Sequence, residues 1–411
     1  MNAFVSLSEP SAAQDPALPG SDVLRRLTET IAQGASERDQ QRIHPYEAVG
    51  LLRQARYGAL RLPREHAGGG ATLRQLLGSV LELAAADSNV AHVLRNHFSF
   101  VERFVLPAPG QAPSRWLDAV AQGAIFGVAA GELSTAAVGD GSLDTTVVPD
   151  PAGGWRLNGI KFYSTGSLYA DYVAVRASLP DGHAATAVVP VDRAGVRLDD
   201  DWFGMGQRLT GTGTTRLTDV HLTGDELLLD RDGHDYRIPY SSAIAQLFLT
   251  TVNAGILRAV QHEAVALVKR RGDRNFAHGL AARPEDDPVL QQEIGEIASA
   301  AFAAEATVLA AADALDRVAE SRQRGAHDRE LALQGALAAS KAKVVVDSLT
   351  LRAATQLFDV GGASAATQRY NLDRHWRNAR TLASHNPASL KARLLGQYEV
   401  HGTPLPTGGF F

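Results

Sequence analysis

The chain has 411 residues, 45% of them hydrophobic, with 40 Lys+Arg against 45 Asp+Glu and no cysteine. That length can bury a large core over roughly two to three domains, and the missing thiols exclude disulfides, cysteine-ligated zinc, iron–sulfur clusters and a cysteine nucleophile. Redox work must then fall to a bound cofactor or a non-thiol metal site, and the net charge of −5 argues against a broad nucleic-acid surface.

Residues 1–20 lack a basic start followed by an apolar run, so they read as a flexible leader rather than a signal peptide. Residues 21–123 have a helical pattern. Pro45 opens a helix through Leu51 and Leu52. Thr72 to Ala86 carries Leu76, Leu77, Val80, Leu81 and Leu83 at helical spacing. Asp87-Ser88-Asn89 breaks and recaps the chain, and a second helix is expected from Val90 to Val105.

Residues 124–235 form a middle β domain. Thr145 to Val148, Trp155 to Leu157, Tyr172 to Arg176, Ala187 to Val191 and Thr215 to Leu222 are short and β-branched or aromatic, with Pro149 to Gly154 as a hairpin connection. Residues 236–396 return to helix. Ile238 to Leu257 is uncharged and the best membrane candidate, but Ser241, Ser242, Gln246, Thr250, Thr251 and Asn253 favour a buried core helix. Pro288 to Ala319 and Glu330 to Phe358 are amphipathic and joined by a short turn, which implies a helical bundle. Residues 397–411 are a Pro/Gly tail. No targeting or spanning segment is read, so a soluble cytoplasmic protein is expected.

Several chemistries find no motif. There is no GxGxxG between a strand and a helix, no Walker A loop, no HExxH and no GxSxG. His92 and His97 are five apart, about 140° around a helix, too divergent to share one metal.

Other segments occur in a telling order. They are Leu62-Pro63 with Gly68-Gly69-Gly70, then Trp155 to Thr165 (WRLNGIKFYST), Gly204 to Thr214 with Asp219-Val220, Gln356 to Gly362 (QLFDVGG), and Trp376 to Arg380. Together they resemble the acyl-CoA dehydrogenase superfamily over residues 40 to 396. The resemblance implies an α+β fold with an N-terminal helical domain, a middle β-barrel-like domain and a C-terminal four-helix bundle. Two positions depart from the dehydrogenases. The segment that carries their catalytic glutamate falls on Ser384-His385-Asn386-Pro387, and their flavin-contacting segment falls on Gly131 to Ala137, which keeps only Glu132. Asn96-His97-Phe98, Lys161 to Ser167, Asp201-Trp202 and Asp373 to His385 are similar to the reduced-flavin-dependent two-component monooxygenases of the same fold, the dibenzothiophene monooxygenase and sulfur-acquisition type.

That branch implies FMN, taken as FMNH2 from a separate NAD(P)H:flavin reductase, with FAD the lesser choice. It implies O2 activation through a C4a-(hydro)peroxyflavin, a small apolar and plausibly organosulfur substrate, and a homotetramer built as a dimer of dimers, with no nucleic-acid or membrane partner. The rivals are an FAD-dependent acyl-CoA dehydrogenase with a displaced base and a non-catalytic binding scaffold.

The candidate residues each carry two readings. His385 precedes Asn386-Pro387, the start of a helix through Leu390 and Leu394, and a positive helix end disfavours imidazolium. It is either a neutral proton carrier or a capping-region histidine. His97 shares a helical face with Val93, Phe100, Val101 and Phe104, so it is either a core histidine or, as the resemblance implies, a catalytic one beside flavin. His92 lies on another face and reads as structural. Tyr163, Ser164 and Thr165 are expected in a strand, where Ser164 opposes its neighbours. The resemblance makes Ser164 a catalytic candidate near the flavin ring and the three together flavin contacts. Trp202 is either a core aromatic or a wall against the flavin. Arg274, in the Lys269–Arg274 cation cluster, matches a flavin-phosphate arginine that acts across a subunit boundary. Gly361-Gly362 let backbone approach the cofactor or end a helix. No metal site is read.

Overall fold

The computed structural model describes residues 17–106, 114–133, 143–230, 239–326 and 328–407. Most of the expected leader, residues 1–16, and the final Phe410-Phe411 lie outside them.

Seven helices lead: α1 (Asp22–Ala32), α2 (Ala35–Gln41), α3 (Tyr46–Gln54), α4 (Leu73–Ala86), α5 (Ser88–Val93), α6 (Arg95–Phe100) and α7 (Leu117–Ala121). Pro45 precedes α3 as expected. Thr72 caps α4 with a reciprocal Thr72–Gln75 capping box. Asp87 recaps the chain, its side chain accepting from Asn89 N and Val90 N. The helix expected over Val90–Val105 is instead broken: α5 ends at Leu94, α6 is short, and Val101–Val105 is a wide π turn. The break re-aims the side chains of this segment, a common device beside functional sites.

The middle domain is an eight-stranded sheet of β1 (Phe126–Ala129), β2 (Thr146–Pro149), β3 (Trp155–Lys161), β4 (Tyr172–Ser178), β5 (Ala184–Pro190), β6 (Val196–Leu198), β7 (Thr215–Leu222) and β8 (Leu227–Leu229). The order is β6-β7-β3-β2-β4-β5-β8, with β1 parallel to β4. All five expected strands are present. The edge strands β6 and β8 are three residues each, too short for a period-2 pattern to show. Its core holds Val147, Leu157, Val173, Val175 and Val220.

The bundle consists of α8 (Ala243–Arg270), α9 (Pro288–Gln323), α10 (Arg329–Gly361), α11 (Asp373–Ala383) and α12 (Ala388–His401). Helix α12 runs five residues past the expected bundle end at 396, and Leu405 of the expected tail is buried, its carbonyl accepting from Tyr240. Helices α8 and α9 are long and apolar enough, by length and composition, to cross a membrane. The apolar window of α8 is 89% buried within the chain, the mark of a core helix, whereas that of α9 is 28% buried.

The layers share cores. Val80 and Leu81 of α4 pack in one cluster with Ile256 and Leu257 of α8. Phe100 of α6 stacks on Phe126 of β1 at 4.4 Å, and Phe126 stacks on Tyr172 of β4 at 4.9 Å. The α5–α6 segment is thereby wedged between bundle and sheet.

Candidate active site

Strand β3 ends at Lys161, and the chain then turns rather than continuing extended. Tyr163 adopts a left-handed φ of +58°, which breaks the expected alternation. Tyr163 is consequently exposed, while Ser164 and Thr165 are both buried. Gly166, at φ +83°, must be glycine: a Cβ there would lie 2.5 Å from the Val93 carbonyl. This close approach sets the turn against α5, and Asn96 Nδ2 donates to the Thr165 carbonyl at 2.7 Å. Ser164 Oγ is buried and takes no hydrogen bond among the described residues. A buried hydroxyl without a partner can be completed by a group bound from outside the chain.

Trp202 stands beside this turn, edge-on to Tyr163 with ring centroids 6.2 Å apart. Its Nε1 donates to the Gln207 carbonyl at 2.9 Å. Gln207 is the hub of the site. Its N–H donates to Asn378 Oδ1 (2.6 Å), its Nε2 donates to Ser88 Oγ (3.1 Å), and its Oε1 lies 3.0 Å from His92 Nδ1. The Trp376–Arg380 segment holds this hub in place: Arg377 binds Asp39 (2.7 Å), Asp373 (2.7 Å) and the Met205 carbonyl (3.1 Å).

His92, not His97, belongs to this constellation. A carbonyl oxygen only accepts, so Gln207 Oε1 places the proton on His92 Nδ1 and leaves Nε2 bare. Nε2 takes no hydrogen bond among the described residues. Burial, and then the Arg95 charge, hold this imidazole down to about 3.

His97 is a core histidine, which corrects the expectation that it handles a proton beside flavin. It is fully buried, with Nε2–H donating to the Gly58 carbonyl at 2.9 Å and Nδ1 accepting from Phe126 N at 3.2 Å. Both nitrogens are spent on the backbone. Sequence reasoning missed His92 because the broken helix turns it toward Gln207. The Asp87-Ser88-Asn89 recap just before it was the available signal.

His385 sits at the end of α11 and is solvent-accessible, yet protein surrounds it closely enough to depress its basicity well below the ordinary histidine range. Burial leads, followed by Arg95, His92 and Lys343. Its neighbour Asn386 donates to Gln246 Oε1 on α8 at 2.7 Å. Both imidazoles are held below the ordinary histidine range, and the groups that act on His385 besides burial all disfavour its imidazolium.

Arg274, Gly361 and Gly362 form a second group. Arg271 donates to the Gly361 carbonyl and lies over the Phe276 ring at 4.6 Å, against Gly362, which ends α10 at φ +62°. Exposed Arg274 lines an open cleft of about 590 Å³ with Asp273, Asn275 and Phe276. No hydrogen bond, ion pair or ring contact among the described residues joins this group to Ser164, Thr165 or Trp202. Glu132 has a structural role, pairing with fully buried Lys161 and accepting from Thr145 N at 3.0 Å. The rest of its segment, from Ser134, lies outside the described residues. Among the described residues no cluster of His, Asp and Glu is arranged for a metal.

Comparison with known proteins agrees with this architecture. Residues 247–389 match the family model for the acyl-CoA dehydrogenase C-terminal domain. The probable FMNH2-dependent monooxygenase SfnC of Pseudomonas putida is 29% identical over 396 residues, 94% of this chain and 96% of that one. The FMN-bound structure of TdsC, a dibenzothiophene monooxygenase from Paenibacillus sp. A11-2, superposes with TM-score 0.86 at 27% identity, covering 95% and 99% of the two chains. Methanesulfinate monooxygenase MsuC of Pseudomonas fluorescens superposes with TM-score 0.84 at 26% identity, covering 97% and 100%. The chain has the acyl-CoA dehydrogenase fold and is similar along nearly its whole length to flavin-dependent monooxygenases built on that fold.

Proposed function

We propose that the chain is a monooxygenase that takes FMNH2 from a separate NAD(P)H:flavin reductase and transfers one oxygen atom of O2 to a small organosulfur compound. The observation that carries this reading is the buried, unpartnered Ser164 Oγ beside Trp202 and the bare Nε2 of His92. These residues fit a flavin ring: a hydroxyl to hold its polar edge and an indole to wall it off. Reduced flavin, when bound, supplies the two electrons that O2 needs.

The chain's own residues supply the rest. Ser164 and Thr165 would orient the ring, with Tyr163 and Trp202 at its rim. His92, its tautomer fixed by Gln207 and its ring kept neutral by burial, offers an Nε2 lone pair that can accept a hydrogen bond from a protonated group held beside it. His385 would be a second imidazole held neutral, with His92 among the groups that lower its basicity. Where a dehydrogenase needs a carboxylate to remove a proton from carbon, this site has His385 flanked by cations, which argues against acyl-CoA oxidation.

Arg274, Gly361 and Gly362 would take the flavin phosphate of a neighbouring protomer, since no hydrogen bond, ion pair or ring contact among the described residues joins the Arg274 loop to the Ser164–Trp202 group. Phe302, Val289 and Val345, apolar and exposed on α9 and α10, support a homotetramer, a dimer of dimers, as the working form. A cytoplasmic location accords with dependence on a flavin reductase. The test is anaerobic titration with FMNH2 followed by oxygen. Tight binding of reduced flavin is expected, with no reduction of a dye acceptor by acyl-CoA. Dye reduction without a reductase would sink the proposal.

A further inference from the structure

Beside the unpartnered Ser164 hydroxyl lies one that is not free to turn. Thr165 Oγ1 is 2.9 Å from Thr212 Oγ1, Thr212 Oγ1 is 2.6 Å from Thr210 Oγ1, and Thr210 Oγ1 donates to the Gln207 carbonyl at 2.9 Å. The same carbonyl accepts from Trp202 Nε1. Thr165 and Thr210 are buried and Thr212 is half-buried. None of the three hydroxyls takes another hydrogen bond among the described residues. The backbone fixes this row. Ser164 N donates to the Gly213 carbonyl at 3.0 Å and Gly166 N to the Thr210 carbonyl at 2.9 Å, so the turn after β3 is bonded to the 210–213 loop on both sides of Thr165. Asp201 holds that loop in turn, its carboxylate accepting from Thr214 N at 2.8 Å and Thr214 Oγ1 at 2.7 Å. Gly213 passes too close to the Asp199 carbonyl to admit a Cβ.

Proton counting sets the direction of the row. Each hydroxyl has one proton to give, and a carbonyl has none. Three hydroxyls must therefore fill three contacts. They do so in one way only: Thr210 donates to Gln207, Thr212 to Thr210, and Thr165 to Thr212. Turning the Thr165 proton outward would leave two of these shielded oxygens in contact with no proton between them, a hydrogen bond unmade. Thr165 Oγ1 therefore presents lone pairs alone to a bound group. Ser164 Oγ, which has no such constraint, can donate or accept.

We propose that Thr210 and Thr212 are positioning residues that lock Thr165 as an acceptor, and that this lock makes the site hold reduced FMN more tightly than oxidised FMN. The inference rests on the flavin-monooxygenase reading and adds the redox state that the site selects. Ring nitrogens that are bare acceptors in oxidised isoalloxazine become N–H donors on reduction. A locked acceptor pairs with such an N–H, and it meets a bare nitrogen lone pair against lone pair. Oxidised flavin left after a turnover is then readily exchanged for reduced flavin.

The test is the ratio of dissociation constants for oxidised and dithionite-reduced FMN, measured anaerobically on the purified full chain without substrate. The wild type is expected to favour FMNH2. Thr212→Val keeps the branched shape but frees the Thr165 proton. It is expected to cut the preference about 2- to 12-fold, the worth of one neutral hydrogen bond; a tenfold cut lowers the potential of bound flavin toward that of the oxidant-binding form by about 30 mV for a two-electron couple. Thr210→Val, which reaches Thr165 only through Thr212, should act in the same direction. Thr212→Ser restores the hydroxyl and should restore the wild-type ratio. The half-buried Thr212 keeps the test open if the variant at fully buried Thr210 does not fold. Equal weakening of both redox forms marks a structural role only and overturns the inference. So does an unchanged ratio in Thr212→Val, a serine variant that behaves like the valine one, or a wild type without preference for FMNH2. Each of these leaves the monooxygenase reading intact. Failure of the wild type to bind FMN in either state overturns both.

Discussion

The exchange of roles between His92 and His97 makes a prediction in two halves. His97→Phe keeps ring volume but removes both bonds to the backbone. It strands the Gly58 carbonyl and the Phe126 N–H in a site with no water access. Each stranded group costs about 1–3 kcal/mol, so the variant should lose about 2–6 kcal/mol, a large part of a typical total of about 5–15 kcal/mol. Gly58→Ala should act on the same joint from the other side, because its Cβ would lie 2.6 Å from His97 Nε2. His92→Phe removes one bond, to Gln207, and should cost about 1 kcal/mol while abolishing the bare nitrogen. Urea denaturation gives the stability of each variant. Oxygen uptake with FMNH2 gives the fraction of oxygen returned as hydrogen peroxide. The expected pattern is a destabilised but coupled His97→Phe and a stable but uncoupled His92→Phe. The reverse pattern, full stability with lost coupling in His97→Phe, would refute the assignment.

Three further outcomes follow from the same geometry. His97 and His92 are held down by burial to about 4 and about 3, against 6.5 in the unfolded chain. Both are neutral in either state above pH 6.5. Below it the unfolded chain binds protons that the folded chain refuses, so stability falls by about 1.4 kcal/mol per pH unit for each histidine until its folded value is reached. Urea midpoints measured from pH 7 to pH 4 should drop steeply, and a flat profile would show that these rings are solvated. Arg274→Ala should weaken FMN binding by about tenfold or more without changing chain stability, read by quenching of flavin fluorescence; unaltered affinity removes Arg274 from the phosphate site. His385→Ala should bind FMN normally and divert oxygen to hydrogen peroxide, and unchanged coupling would exclude His385 from the proton path.

Legibility in the sequence tracked how local the determining physics is. Thr72 and Gln75 build a capping box within four residues, and the helix from Leu73 to Ala86 is readable from spacing alone. The long amphipathic helices α9 and α10 and the five longer strands are equally local. The leucine-poor turn after β3 is not. Its burial pattern follows from a left-handed Tyr163 and a glycine pressed against Val93, a contact across domains. Reading that turn as strand continued an alternation that one positive φ destroys. The histidine assignment failed for the same reason. One continuous helix from Val90 puts His97 on a readable face, but the break at Leu94 and the pull of Gln207, 115 residues away in sequence, decide which imidazole stays free.

The charge pattern around His385 has one more consequence. A carboxylate at position 385, as the dehydrogenases carry in the corresponding segment, would stand beside His92 and stabilise its imidazolium. It would raise the basicity that burial and Arg95 now suppress, turning His92 from an empty acceptor into a filled donor. The histidine at 385 and the arginine at 95 are therefore two halves of one electrostatic choice. His385 puts an uncharged ring where a dehydrogenase holds a carboxylate, and Arg95 adds a positive charge that acts on both imidazoles. Both features push the imidazoles toward the neutral form. Imidazoles held neutral in this way have little capacity to donate a proton at neutral pH, so they serve as hydrogen-bond acceptors rather than as acids.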